Sequence, residues 1–116
     1  FGDRDTDTTA ESPLVETVTE LNIERTPSGA IIRATGVAFR QGAYGAFLRP
    51  IEPSEDSDSS VLAFDFTVIY PENGTPVGSE QSRSIQVART ISLQDLNGVS
   101  TVRIVANQNT RESRRR

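Results

Sequence analysis

The chain has 116 residues, 12 basic against 16 acidic, and a formal net charge of −4. It contains no cysteine, histidine, methionine or tryptophan, and every basic residue is arginine. Those absences exclude a thiolate nucleophile, a disulfide, a histidine base or metal ligand and a Schiff-base lysine, so we expect neither an enzyme nor a cofactor.

A chain of this length forms one domain and buries a core without metals or staples. Its first stretch, "FGDRDTDTTAESP", is acidic and threonine-rich, the composition of a solvated tether. We therefore expect an acidic tether over residues 1–13, a folded domain over 14–110 and an arginine-rich tail over 111–116. The chain opens at Phe1 rather than methionine, which we read as a processed, exported product, periplasmic or at the cell surface. No apolar run approaches the ~18 residues that span a bilayer.

The next stretch, "PLVETVTELNIER", carries two patterns. Leu14, Val18 and Leu21 have helical spacing, with Glu16, Glu20 and Glu24 four apart. Val15, Thr17, Thr19, Leu21 and Ile23 alternate instead, and the stretch is rich in β-branched residues. Pairing across a turn at Pro27–Gly29 favours the strand, with Pro27 presetting φ and Gly29 taking a left-handed position. In "AIIRATGVAF" the parity changes between Ile32 with Ala34 and Val37 with Phe39, which places a β-bulge at Gly36. A second hairpin is expected at "RQG", turning at Gly42 into "AYGAFLRP", which Pro50 ends.

The acidic loop "EPSEDSDSS" then leads to the clearest strand, "VLAFDFTVIY". Leu62, Phe64, Phe66, Val68 and Tyr70 share one parity, as in a half-buried strand. After "PENGTPVGSEQS" comes the strand "SIQVARTI". In "SLQDLNG", Ser92 caps a single helical turn and Asn97-Gly98 reverses the chain. The sixth strand, "VSTVRIVA", puts Val102, Ile104 and Ala106 on one face. These elements predict an all-β fold, an antiparallel sandwich of six to seven strands, with Leu62, Phe64, Phe66, Val68, Val102 and Ile104 buried together.

The strand–turn–strand run "TISLQDLNGVSTVRIV" resembles the crossing between sheets in immunoglobulin-like domains, although the cysteine pair, core tryptophan and corner tyrosine are missing. "ATGVAFRQGAYGAFLRP" and "LNGVSTVRIVANQNTRESRRR" together resemble small uncharacterised lipoproteins of alphaproteobacteria. That resemblance implies export and membrane association through a lipidated cysteine upstream of the folded domain. It carries over no catalytic residues.

Candidate contacts remain. Glu52, Glu55, Asp56 and Asp58 cluster hard oxygens, yet their spacing lacks the glycine and distal glutamate of a calcium loop, so a solvated acidic loop is expected and no metal. Asn73-Gly74-Thr75 is a formal glycosylation sequon, read here as a turn because Pro76 follows it. Tyr44, set among small residues in "QGAYGAF", offers a large contact area at low entropic cost, and either it or Phe47 otherwise fills core. The tail arginines Arg111, Arg114, Arg115 and Arg116 are candidate partner contacts. They remain solvated, pair as an irregular seventh edge strand, meet an acidic surface on a partner or another copy, or meet anionic lipid headgroups. Negative overall charge and the lack of a basic face with aromatics argue against nucleic acid.

The leading expectation is a non-enzymatic exported structural or protein-interaction module, with a protein partner or self-association. The alternative is an extracytoplasmic binding domain for an anionic or carbohydrate ligand, using Arg33, Arg49, Arg89 or Arg103 on an exposed sheet face.

Overall fold

The computed structural model describes residues 13–52, 60–72 and 74–114. Seven strands occur among the described residues: β1 (Thr17–Thr26), β2 (Gly29–Val37), β3 (Tyr44–Pro50), β4 (Val61–Ile69), β5 (Ser84–Ser92), β6 (Thr101–Val105) and β7 (Thr110–Arg114). A 3-10 turn at Gln81–Arg83 precedes β5, and one helical turn, α1 (Leu93–Leu96), follows it. The strands form two packed sheets, ordered β1-β2-β5 and β3-β4-β6-β7.

The core lies between the sheets, where alternate side chains of each strand meet. Phe66, Ile32, Leu48, Ile104 and Val15 are its largest fully buried members. Phe64, Val68 and Val102 join them as the alternation predicts, whereas Leu62 is only partly buried against the cluster. Each such side chain removed from water stabilises the fold by roughly 1.5–3 kcal/mol.

The first strand explains its own double pattern. Val18 pairs with Gly36 and Glu20 with Thr35, so Thr19 is an extra residue in β1. This bulge resets the side-chain parity, and Val18 and Leu21, three apart, both face inward. Helical spacing in the sequence is thus the trace of a bulged strand. The bulge expected at Gly36 lies on the partner strand, and β2 pairs with β5 without irregularity. Gly36 is needed for proximity instead: a Cβ there would lie 3.0 Å from the Thr17 carbonyl oxygen and 3.1 Å from the Phe66 ring.

Gly29 also differs from expectation. Thr26 pairs with Gly29 around a Pro27–Ser28 turn, and Gly29 has φ 156, outside the left-handed helical well. A Cβ there would meet the Ile91 carbonyl oxygen at 1.8 Å, so only glycine lets β5 approach.

The expected hairpin at Gly42 is a crossing between sheets, because β2 and β3 belong to different ones. Gly42 does turn there, with φ 92. The crossing is locked by Arg40, which lies 4.9 Å from the Tyr70 ring centroid and donates to Thr75 Oγ1 and the Pro71 carbonyl. The Phe39 N–H donates to the Tyr70 hydroxyl at 2.8 Å.

A wholly antiparallel sandwich is also corrected. β4 and β6 run parallel, Val61 opposite Thr101 through Asp65 opposite Val105. The cause is the path between them: β5 joins the other sheet, and the chain returns through α1 in the original direction. Ser92 caps α1 as expected, its Oγ accepting from the Asp95 N–H at 3.1 Å, and Gly98 reverses the chain with φ 80.

Both ends of the expected domain extend. Leu14 bridges Thr67, and the Pro13 carbonyl accepts from the Val68 N–H, so this segment lies on β4 before β1 begins in the other sheet. The boundary drawn at residue 111 moves, because β7 continues to Arg114.

Candidate functional site

The arginine tail falls into place first. β7 pairs antiparallel with β6 in unbroken register, Ile104 opposite Arg111 and Arg103 opposite Glu112. Strand parity therefore places Arg111 on the side of the apolar Ile104, and its Nε donates to the Val18 carbonyl at 3.2 Å. Glu112 pairs with Arg103 at 2.6 Å, and Arg114 stands exposed opposite Thr101. An all-polar strand with three charged residues blunts this sheet edge against further strands. Arg115 and Arg116 lie outside the described residues.

The opposite edge of that sheet has a different chemistry. Tyr44 is 54% exposed and pairs directly with Ile69, itself 41% exposed. Phe47 and Ile51, in and just after the same strand, are 50% and 40% exposed. A bulge between Tyr44 and Phe47 and a left-handed Gly45, φ 63, bend the strand here. A Cβ on Gly45 would collide with Ile69 Cδ1 at 2.8 Å, so glycine lets the Ile69 side chain lie across β3.

Sequence reasoning singled out Tyr44 but left Phe47 between core and surface, and it missed Ile51 and Ile69. The signal for Ile69 was present, since its parity opposes that of Phe64, Phe66 and Val68. Ile51 had no such signal, because it follows Pro50 at the strand end.

The backbone of this edge is interrupted at two points. Arg89 reaches across from β5, donating to the Leu48 carbonyl at 3.3 Å while its guanidinium carbon lies 5.5 Å from the ring centroids of both Phe47 and Phe64. That distance is within cation–π range. Pro50 brings no N–H to the edge.

The arginines proposed for an anionic ligand all have partners. Arg33 pairs with Glu24, Arg49 with Asp65 at 2.9 Å, Arg103 with Glu112, and Arg89 is held as described. The outer face of the three-stranded sheet has a shallow depression of about 310 Å³, with Glu20, Asn22, Arg33, Thr35 and Gln86 among its lining. No aromatic ring lines it for sugar stacking. In the acidic loop, Glu52 is exposed, whereas Glu55, Asp56 and Asp58 lie outside the described residues, as does Asn73 of the sequon. No family model matches the chain, and no curated protein or solved structure does either.

Proposed function

We propose that this chain is a non-catalytic, exported protein-interaction module of immunoglobulin-like sandwich type, docking a protein partner through Tyr44, Phe47, Ile51 and Ile69. The observation that carries the reading is the row of four apolar side chains, 40–54% exposed, spread along β3 and its partner β4. Aromatic anchors of this kind supply much of the energy in protein interfaces, and the polar surroundings favour reversible contact. Three- and four-stranded sheets joined by the α1 crossing support the immunoglobulin-like part, while the parallel β4–β6 pair departs from that pattern. Export and a lipid anchor rest on the resemblance drawn from the sequence alone.

The test places a photo-crosslinking residue at position 44 and, as a control, at Thr90, exposed on the outer side of the other sheet. Crosslinking in cells should give a discrete protein adduct at 44, lost when Phe47 and Ile69 are both changed to serine, and none at 90. Equal adducts at both positions, or none at 44, would overturn the reading. The anionic-ligand alternative is weaker because an incoming anion must first displace Glu24, Asp65 or Glu112 from an arginine.

A further inference from the structure

We propose that Asn97 is a site of spontaneous deamidation, converting the crossing between β5 and β6 to an aspartyl or isoaspartyl linkage. Among the described asparagines, Asn22, Asn107 and Asn109 precede Ile23, Gln108 and Thr110, and only Asn97 precedes glycine. The chemistry needs a main-chain nitrogen that can approach the side-chain carbonyl carbon one residue back. A following side chain obstructs that approach, and glycine does not.

The geometry favours the reaction at Asn97. Both Asn97 and Gly98 are exposed, and a Cβ on Gly98 would meet nothing within 4 Å. The flanking N–H groups are engaged, Asn97 with the Gln94 carbonyl and Val99 with the Leu96 carbonyl, but the Gly98 N–H donates to no described group. Asn97 has ψ 123, so ring closure requires rotation about its Cα–C bond, and Gly98 absorbs the rotation. Asn109 shows the contrast: its amide is held at both ends by Val18.

In the first step the Gly98 nitrogen bonds to Asn97 Cγ. The side-chain nitrogen leaves as ammonia, carrying away the proton lost from the Gly98 nitrogen. Water then opens the five-membered imide at either carbonyl, giving aspartate or, with the main chain rerouted through Cβ, isoaspartate. Either product adds one negative charge to the −4 of the chain. The isoaspartyl product also lengthens the main chain by one carbon between Leu96 and Val99, both buried anchors of the crossing.

The experiment incubates the whole folded protein at mildly alkaline pH beside the same protein in denaturant, followed by tryptic peptide mapping. Cleavage after Arg89 and Arg103 isolates residues 90–103, which contain Asn97 and exclude Asn73. The expected result is a gain of one mass unit at Asn97, with separable aspartyl and isoaspartyl forms, at a rate protected less than about tenfold by folding. Asn97→Gln should abolish the change while leaving the melting curve in place. Protection beyond that limit, or an unmodified Asn97 in a folded sample whose denatured twin has converted, would overturn the proposal.

Discussion

The side-chain amide of Asn109 forms a two-pronged pair with the main chain of Val18. Its Oδ1 accepts from the Val18 N–H and its Nδ2 donates to the Val18 carbonyl, both at 2.8 Å. Val18 stands beside the Thr19 bulge on an edge strand and is itself buried, so these groups have no neighbouring strand to pair with. Asn109 takes that strand's place. Replacing it with alanine should cost about 1–3 kcal/mol, since the Val18 N–H loses its partner and the carbonyl keeps only Arg111. Asn109→Asp should do no better, because it sets a second acceptor against the Val18 carbonyl. Urea denaturation measures both, and wild-type midpoints would show that water replaces the amide freely.

A chain ending at Asn109 loses β7, the Arg103–Glu112 pair and the Arg111 contact to Val18. It also bares the β6 edge, whose inward residues are Val102 and Ile104. We expect a lower melting temperature and concentration-dependent aggregation, read by calorimetry and light scattering. An unchanged melting temperature would place β7 outside the cooperative unit.

Phe64 and Phe66 are 2% and 0% exposed at the centre of the core. Truncating either to alanine should destabilise by ~3–5 kcal/mol through lost burial and the cavity left behind. Phe64→Ala carries a second effect, because the Arg89 guanidinium lies 5.5 Å from its ring. A thermal scan near the wild-type value would remove Phe64 from the core.

Thr26, the last residue of β1, buries its hydroxyl without a hydrogen-bond partner. Valine keeps the β-branched shape and removes the unsatisfied group. Thr26→Val should therefore stabilise by about 1 kcal/mol, visible as a higher urea midpoint at constant m-value. A loss of stability would mean that the hydroxyl is hydrated.

Gly29→Ala sets a methyl group against the Ile91 carbonyl and should cost more than about 3 kcal/mol, or prevent folding. Gly74→Ala meets nothing within 4 Å and should stay within about 0.5 kcal/mol of wild type. Similar losses for the two variants would contradict the close approach of β5 to Gly29.

What the sequence made legible was local. Alternation exposed β4, the hydroxyl of Ser92 announced α1, and Pro50 closed β3, because each depends on a few adjacent residues. Sheet membership was hidden, since Phe39–Ala43 has the same turn residues whether it closes a hairpin or crosses between sheets. The bulge at Thr19 was disguised as helical spacing, for a three-residue step belongs to both. Tyr44 was legible as a contact from its small neighbours. Ile69 became one only when the register set it opposite Tyr44, and Asn109 gained its role from a strand 91 residues away.

The parallel pairing of β4 with β6 has a consequence for how this molecule comes to exist in time. Val61 must wait for Thr101, and the strands between them must first turn away into the opposite layer. Such distant pairings delay closure, because chain entropy is lost before contacts repay it. No N-terminal half of this chain holds a complete layer, because β5 and β6 both lie beyond its midpoint. The four-stranded layer is complete only when β6 and β7 join β4.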